Sequence, residues 1–131
     1  MNNEWNRQVF DYAQKLTIRC GLGWHGFILN AISELLSYKK NNPEKIADIK
    51  FAGKRKGKLY IAVTDDFPVE LRGIYDRMER ASKRLCEYCG CEGICRPCNT
   101  GWVLTLCKDC WIEEDKIPPF WAREENENVE Q

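Results

Sequence analysis

The segment "CEYCGCEGICRPCNTGWVLTLCKDC", residues 86–110, contains seven of the eight cysteines of this 131-residue chain. Two C-x2-C pairs, Cys86/Cys89 and Cys107/Cys110, stand at its ends. Zinc takes four tetrahedral ligands, and a C-x2-C pair supplies two thiolates from one tight turn. The spacing between the pairs lies in the range typical of zinc sites with two such turns. We therefore predict that these four cysteines hold one structural zinc ion per chain.

The residues between the two pairs predict a β-hairpin. "GIC" (93–95) forms the outgoing strand, the chain turns near "NTG" (99–101), and "WVLTL" (102–106) returns. This path places the second pair beside the first. A site with four thiolates has no open coordination position, so it stabilises the fold rather than catalysing a reaction. We expect a zinc-ribbon or treble-clef-like annex over residues 86–117 that folds with its metal.

The main competing interpretations of these cysteines are disulfides and a redox centre. The N-terminus, "MNNEWNRQ", is polar and lacks the apolar run of a secretory signal. We therefore expect a cytoplasmic protein whose thiols stay reduced, which argues against disulfides. The run from Cys95 to Cys98 has the spacing of a redox dithiol, but such dithiols act at helix N-termini. This one lies between predicted hairpin segments, so a redox role is disfavoured.

The remaining cysteines leave two further hypotheses open. A second metal site would combine Cys91, Cys95 and Cys98 with either Cys20 or His25, and would bind a second zinc. Otherwise these side chains are buried or partly exposed thiols. A single site that paired the first two cysteines of the segment with Cys95 and Cys98 would leave only five residues, 90–94, to reverse the chain. That cramped geometry favours the outer four cysteines.

Upstream of this segment, hydrophobic spacing predicts two helices. Apolar side chains recur at helical intervals over residues 4–19, and "CGLG" at 20–23 interrupts the pattern. The second helix begins at Trp24 and ends in "KKNNP" (39–43), where cations precede a proline stop.

A β-hairpin and a third helix follow. "IADIKF" (46–51) and "KLYIAV" (58–63) predict two strands joined by the loop "AGKRKG" (52–57). The third helix starts after "DDFP" (65–68), with an aspartate as its cap. Asp76 with Arg80, and Glu79 with Lys83, predict ion pairs on its outer face. We thus predict an α+β core over residues 1–85, and an acidic flexible tail over 118–131.

The charge distribution identifies one basic patch. The net charge is zero, but residues 39–85 carry thirteen Lys and Arg against seven Asp and Glu. The cations crowd the predicted hairpin loop beside an aromatic ring, and the candidate ligand-binding residues are Lys54, Arg55, Lys56, Lys58 and Tyr60. Such a patch can hold phosphates and stack on bases. A solvent-exposed turn that simply needs soluble residues explains the patch equally well. The small size of the patch suits a small anionic nucleotide better than a long DNA molecule.

No sequence motif of a known catalytic type accompanies these features. The chain lacks a nucleophile–base pair, a glycine-rich phosphate loop and an H-E-x-x-H sequence. Its one histidine, His25, is expected to be a local structural residue, and Asp65 and Asp66 are better explained by helix capping than by magnesium binding. We therefore expect a protein that is not an enzyme.

The order of motifs resembles a widespread group of small phage and prophage proteins. In that group a GxGW helix start, a "KFG-L-Y" hairpin, a C-x-x-C-G turn and a G-W-x-x-T-L-C-x-x-C run follow one another. The matching elements here lie within residues 20–111, including "CGLGW" (20–24) and "GWVLTLCKDC" (101–110). The resemblance implies that the four outer cysteines bind the metal and that Trp24 packs in the core. It differs at Leu22, where the group favours an acidic residue, and in the longer basic hairpin loop. It gives no guidance on the three inner cysteines.

The resemblance also implies a setting, the cytoplasm of a bacterial host. The expected function is binding and disabling a host protein or a small signalling nucleotide, as in host takeover or counter-defence. The alternative is a nucleic-acid-binding accessory or regulatory protein that uses the basic residues at 50–58. No membrane association is expected, and the sequence does not indicate an oligomeric state. Beyond folding, the exposed edges of Tyr88, Trp102 and Trp111 are the next candidates for a role in binding.

Overall fold

The computed structural model describes residues 3–116 and has an α+β fold, as predicted. Over this range it contains four helices and two antiparallel hairpins. Their order is α1 (Asn3–Lys15), α2 (His25–Asn41), β1 (Ile49–Arg55), β2 (Lys58–Val63), α3 (Val69–Ser82), β3 (Ile94–Pro97), β4 (Val103–Leu106) and α4 (Lys108–Asp115). None of these helices has the length and apolar character needed to cross a membrane. The predicted acidic tail at 118–131 lies outside the described residues.

The main hydrophobic core forms where the first three helices meet the β1–β2 hairpin. α3 packs on β2, and α2 contacts both α1 and α3. Trp24, which the resemblance placed in the core, is fully buried. Tyr75 of α3 is fully buried as well, and its hydroxyl donates a hydrogen bond to the carbonyl oxygen of Ala31 at 2.7 Å. The periodic apolar residues of the helices therefore do converge on one core.

α1 is shorter than the predicted helix over residues 4–19. It ends at Lys15, and the chain then runs extended beside β1. The N–H of Ala52 bonds to the carbonyl oxygen of Thr17 at 3.0 Å, and the N–H of Arg19 bonds to the carbonyl oxygen of Ala52 at 2.8 Å. Pairing with the edge of the hairpin satisfies backbone groups that a longer helix would have satisfied internally.

The first hairpin has a much tighter turn than the predicted loop over residues 52–57. Both strands continue inward until Arg55 pairs with Lys58, which leaves only Lys56 and Gly57 in the turn. Their φ angles are 52° and 80°. Two successive residues with positive φ are typical of a type I′ turn, whose twist matches that of the strands. The basic residues therefore lie on paired strand ends and a tight turn.

The start and the outer face of α3 differ from prediction. Pro68 occupies the position before the helix, no side chain caps it, and Asp66 has a positive φ of 60°. Glu79 does not lie on the outer face: it is 6% exposed and accepts the N–H of Ile61 at 2.8 Å. Asp76 lies 3.9 Å from Arg72 instead of pairing with Arg80. The carboxylate of Glu79 is thus buried because it satisfies a backbone donor of β2.

Candidate metal centre

The first cysteine pair forms a tight turn directly after α3. The N–H of Gly90 donates to the carbonyl oxygen of Cys86 at 2.9 Å, which closes the turn. Gly90 has a φ of 84°, a left-handed conformation that glycine adopts without steric cost. The C-x2-C-G sequence therefore folds locally into a turn that brings the side chains of Cys86 and Cys89 together.

The second pair lies where β4 passes into α4. Cys107 occupies the position before the helix, with extended backbone angles, and its carbonyl oxygen accepts the N–H of Trp111 at 2.8 Å. Cys110 lies in the first turn of the helix. The predicted hairpin between the pairs is present, with Ile94 opposite Leu106 and Pro97 opposite Val103. The hairpin returns the chain so that the second pair meets the first.

The four sulfur atoms of Cys86, Cys89, Cys107 and Cys110 all lie within 4.8 Å of one another. The sulfurs of Cys89 and Cys107 are 3.5 Å apart. A tetrahedral ion with metal–sulfur bonds of about 2.3 Å needs sulfurs separated by roughly 3.8 Å. The cluster therefore fits one metal ion with small adjustments. Four thiolates suit zinc and iron alike, so the donor set alone does not identify the ion.

The electrostatic environment of the cluster favours loss of a first proton. Burial acts to raise the pKa of Cys86, but the backbone N–H groups of Cys107, Cys89 and Tyr88 stabilise its thiolate and lower its pKa to about 7. Burial, the hydrogen bonds that its thiol donates to neighbouring cysteines of the cluster, and the negative charge of the Cys86 thiolate raise the pKa of Cys110. Backbone donors, together with a hydrogen bond from the side chain of Cys89, thus stabilise one thiolate of the cluster.

A small second core supports the cluster. Leu104, Leu106 and Trp111 are buried around the cysteines. The indole N–H of Trp111 donates to the carbonyl oxygen of Ile94 at 2.7 Å. The guanidinium of Arg96 lies 3.8 Å from the centre of the same ring and bonds to Asp115 at 2.7 Å. The predicted exposed edge of Trp111 is therefore wrong, because this ring is 4% exposed.

The turn before α2 packs directly on the first cysteine pair. The N–H of Gly23 donates to the carbonyl oxygen of Glu87 at 2.7 Å, and the indole N–H of Trp24 donates to that of Leu85 at 2.9 Å. A Cβ on Gly23 would lie 2.1 Å from the carbonyl oxygen of Cys86. The residues "GLGW" therefore form the surface against which the C-x2-C-G turn packs. No local sequence pattern indicated this role.

Glu87 is a second connection that the sequence did not indicate. Its side chain is 2% exposed, lies 3.1 Å from the ammonium of Lys54, and accepts the N–H of Gly21 at 3.0 Å. In β4, the hydroxyl of Thr105 donates to the carbonyl oxygen of Gly57 at 2.6 Å. These bonds hold the β1–β2 hairpin against the cysteine module.

The structure does not gather the cysteines of the hypothesised second site. Within residues 3–116, the outer four cysteines form the one group of three or more potential metal ligands. Cys20 is half-buried against the main core, Cys91 is exposed, Cys95 is exposed on β3 against Gly57, and Cys98 contacts Thr100 at 2.9 Å. They lie on separate parts of the chain: Cys20 between α1 and α2, Cys91 between α3 and β3, Cys95 on β3, and Cys98 after its end. His25 lies 3.4 Å from the carbonyl oxygen of Cys20 and does not join the cluster.

The predicted basic residues lie along the tight turn of the first hairpin. Arg55 lies 5.0 Å from the centre of the Tyr60 ring, whereas Lys54 is held by Glu87. The turn faces Trp102, which follows the turn of the second hairpin and is 71% exposed. A hollow of about 500 Å³ lies between the two turns. The basic patch and the exposed indole, which are far apart in sequence, thus belong to one surface.

Neither family models, nor curated proteins, nor solved structures give a match to this chain. The resemblance to phage and prophage proteins therefore stays a prediction.

Proposed function

We propose that the protein is a zinc-stabilised binding protein of a phage or prophage that acts without catalysis. It would sequester or inhibit a host factor or a small signalling nucleotide. The observation that carries the proposal is the convergence of four cysteine sulfurs from two separate turns to within 4.8 Å. Four thiolates fill a tetrahedral zinc site and leave no position for a substrate or water.

The small size of the second core supports a stabilising role for the metal. It is built from Leu104, Leu106 and Trp111 around the cysteines. So few apolar side chains seldom hold a module of this size without a disulfide or a metal. Metal binding would supply the missing free energy, as it does in small zinc modules.

The surface beside the metal module supports a binding role. Arg55 and Lys56 are exposed, and the described part of the chain offers neither of them an ion pair. They face the exposed indole of Trp102 across the hollow. The same cations support the alternative function, a nucleic-acid-binding accessory protein.

Metal content tests the zinc proposal. Elemental analysis of the purified protein should find about one zinc per chain. Cys107→Ser and Cys110→Ser should lose it, whereas Cys95→Ser, which removes a thiol outside the cluster, should keep it. Full zinc occupancy in both cluster variants would refute the ligand assignment, and iron would refute the choice of ion.

Salt titration tests the alternative. Binding to RNA or DNA through several phosphates should weaken steeply as salt rises. Neutralising Arg55, Lys56 and Lys58 together should abolish it, whereas Lys54 is better left intact because it compensates the buried Glu87. No measurable binding at low salt would rule the alternative out. A pull-down from host lysate, analysed for proteins and for small molecules, would then identify the partner.

A further inference from the structure

We propose that the hollow between the two hairpin turns binds one nucleotide unit, with its base on Trp102 and its phosphate at Arg55 and Lys56. This inference deepens the proposed function, on which it rests, by naming the site and the chemical class of its ligand. Its evidence is the juxtaposition of Arg55 and Lys56, which form no ion pair with another residue in 3–116, with an accessible indole across two hairpins.

The hollow between the two turns, called the first hollow below, has the size and the lining of a small-ligand site. Its volume is about 500 Å³, within the range of sites that bind small molecules. Three consecutive basic residues of the first hairpin lie on one side, and residues of the second turn lie on the other. The lining includes Lys54, Arg55, Lys56, Thr100, Gly101 and Trp102.

Trp102 is placed to stack on a planar ring. Its side chain is 71% exposed, although the neighbouring tryptophan of the module, Trp111, is 4% exposed with its indole N–H bonded. Trp102 also lines a second hollow of about 300 Å³, together with Tyr88 and Glu114. Its indole therefore borders two hollows and is accessible to a ligand. Bases of every type can stack on an exposed aromatic ring.

The distribution of charge determines which hollow takes the phosphate. Lys54 borders both hollows, but its ammonium is 3.1 Å from the buried carboxylate of Glu87. Arg55 and Lys56 border only the first hollow, whereas the carboxylate of Glu114 borders the second. A phosphate would be repelled by that carboxylate and attracted by the two cations. The phosphate therefore belongs in the first hollow.

The number of available cations limits the ligand to one or two phosphates. Two positive charges without an ion pair among the described residues, together with one ring, suit a free nucleotide or a single nucleotide of an unpaired strand. In a duplex the bases already stack on one another, so its interior bases cannot reach the indole. Both sources of the ligand offer the same base-plus-phosphate chemistry, and binding experiments can separate them.

The site depends on the metal module because the second hairpin carries Trp102. This hairpin is closed at its base by the two cysteine pairs, and Thr105 ties it to Gly57 in the first turn at 2.6 Å. Removal of the metal would release the indole from its position opposite the cations. Nucleotide binding should therefore be lost when zinc is stripped with a chelator.

The test measures dissociation constants at low salt for four probes with the zinc-loaded protein. The probes are ADP, GDP, a d(T)8 strand and pyrophosphate, with tryptophan fluorescence or calorimetry as the readout. We expect at least one of the three base-containing probes to bind at least about 10-fold more tightly than pyrophosphate, since stacking adds a favourable term that a bare anion lacks. Binding of ADP or GDP alone would assign a free nucleotide, and tighter binding of d(T)8 would assign a single strand.

Matched variants separate stacking from charge. Trp102→Ala should weaken binding about 10-fold, and Trp102→Phe should restore most of it, because a phenyl ring still stacks. Lys56→Asn removes the charge but keeps the turn, since asparagine tolerates the positive φ of this position. It should weaken binding, whereas Lys45→Asn, at an exposed site away from the hollow, should not.

Two outcomes would overturn the inference. One is the absence of binding by all base-containing probes, and the other is unchanged affinity in Trp102→Ala. Zinc content and the urea midpoint, measured on the same samples, keep this failure distinct from that of the proposed function. Intact zinc and folding without nucleotide binding would reject only the site, whereas a folded protein without zinc would reject the proposed function.

Discussion

Replacing Gly23 by alanine should break the packing of the turn before α2 against the C-x2-C-G turn. A Cβ at this position would lie 2.1 Å from the carbonyl oxygen of Cys86, 2.6 Å from the nitrogen of Gly90 and 2.7 Å from the carbonyl oxygen of Glu87. All three atoms belong to the backbone, so no change of rotamer can relieve the contacts. The turn that carries Gly23 would have to move away from the cysteine pair.

The size of the effect follows from the bonds that such a movement breaks. They are the hydrogen bonds from the Gly23 N–H to the Glu87 carbonyl, from the Trp24 indole to the Leu85 carbonyl, and from the Gly21 N–H to the Glu87 carboxylate. Each is worth about 1 kcal/mol, and the bond to the charged group is worth somewhat more. The free energy of unfolding should therefore fall by about 3–4 kcal/mol.

Gly26→Ala is the matched control for this variant. Gly26 lies in the first turn of α2, three residues later, and a Cβ there would meet no atom within 4 Å other than neighbouring atoms of its own helix. Alanine should stabilise the helix by about 0.5–1 kcal/mol, since glycine is the poorer helix former. Urea unfolding of the metal-loaded proteins measures both effects. If Gly23→Ala matches the wild type in unfolding free energy and metal content, the close packing of the turn on the cysteine cluster is wrong.

Two further predictions concern buried groups. Glu79→Ala should lower the free energy of unfolding by about 2 kcal/mol, because the buried N–H of Ile61 loses its acceptor. The exposed neighbour Arg80→Ala should change it by less than about 0.5 kcal/mol, and equal effects in urea unfolding would contradict the buried position of Glu79. Cys20 should react slowly with iodoacetamide at pH 8, because burial and then the charge of Glu87 raise its pKa to about 11, and the thiolate is the reactive form. Peptide mass mapping should find exposed Cys95 alkylated first, and the reverse order would refute the assigned burial.

The features that could be predicted from the sequence are those encoded by neighbouring residues. The C-x2-C-G turn closes through a bond between Cys86 and Gly90, four residues apart, so its spacing alone indicates a ligand pair. Helical periodicity also predicted α2 and α3 close to their observed positions, because it too depends on residues that are near one another in the sequence. α1 was predicted too long because its last residues pair with Ala52, a contact that periodicity does not encode.

The features that escaped prediction depend on contacts between distant residues. Glu79 has the i,i+4 spacing of a surface ion pair, yet it is buried, where its carboxylate accepts the N–H of Ile61 in β2. Glu87 and Lys54 are separated by 33 positions, and either one alone looks like a surface charge. The hollow beside Trp102 combines residues almost fifty positions apart. Local patterns carry no information on such pairs until the fold is known.

These long-range contacts argue that metal and core stabilise one another. The predicted division at residues 85 and 86 falls between Leu85, whose carbonyl binds Trp24 of the main core, and Cys86, the first sulfur of the cluster. On the far side of that point, Glu87 bonds back to Gly23 and Lys54. A metal ion that fixes the cysteine turn therefore also fixes the acceptors for the core residues. Metal binding should therefore raise the free energy of unfolding of the main core as well as that of the cysteine turn, because the acceptors lie in the same turn as the ligands.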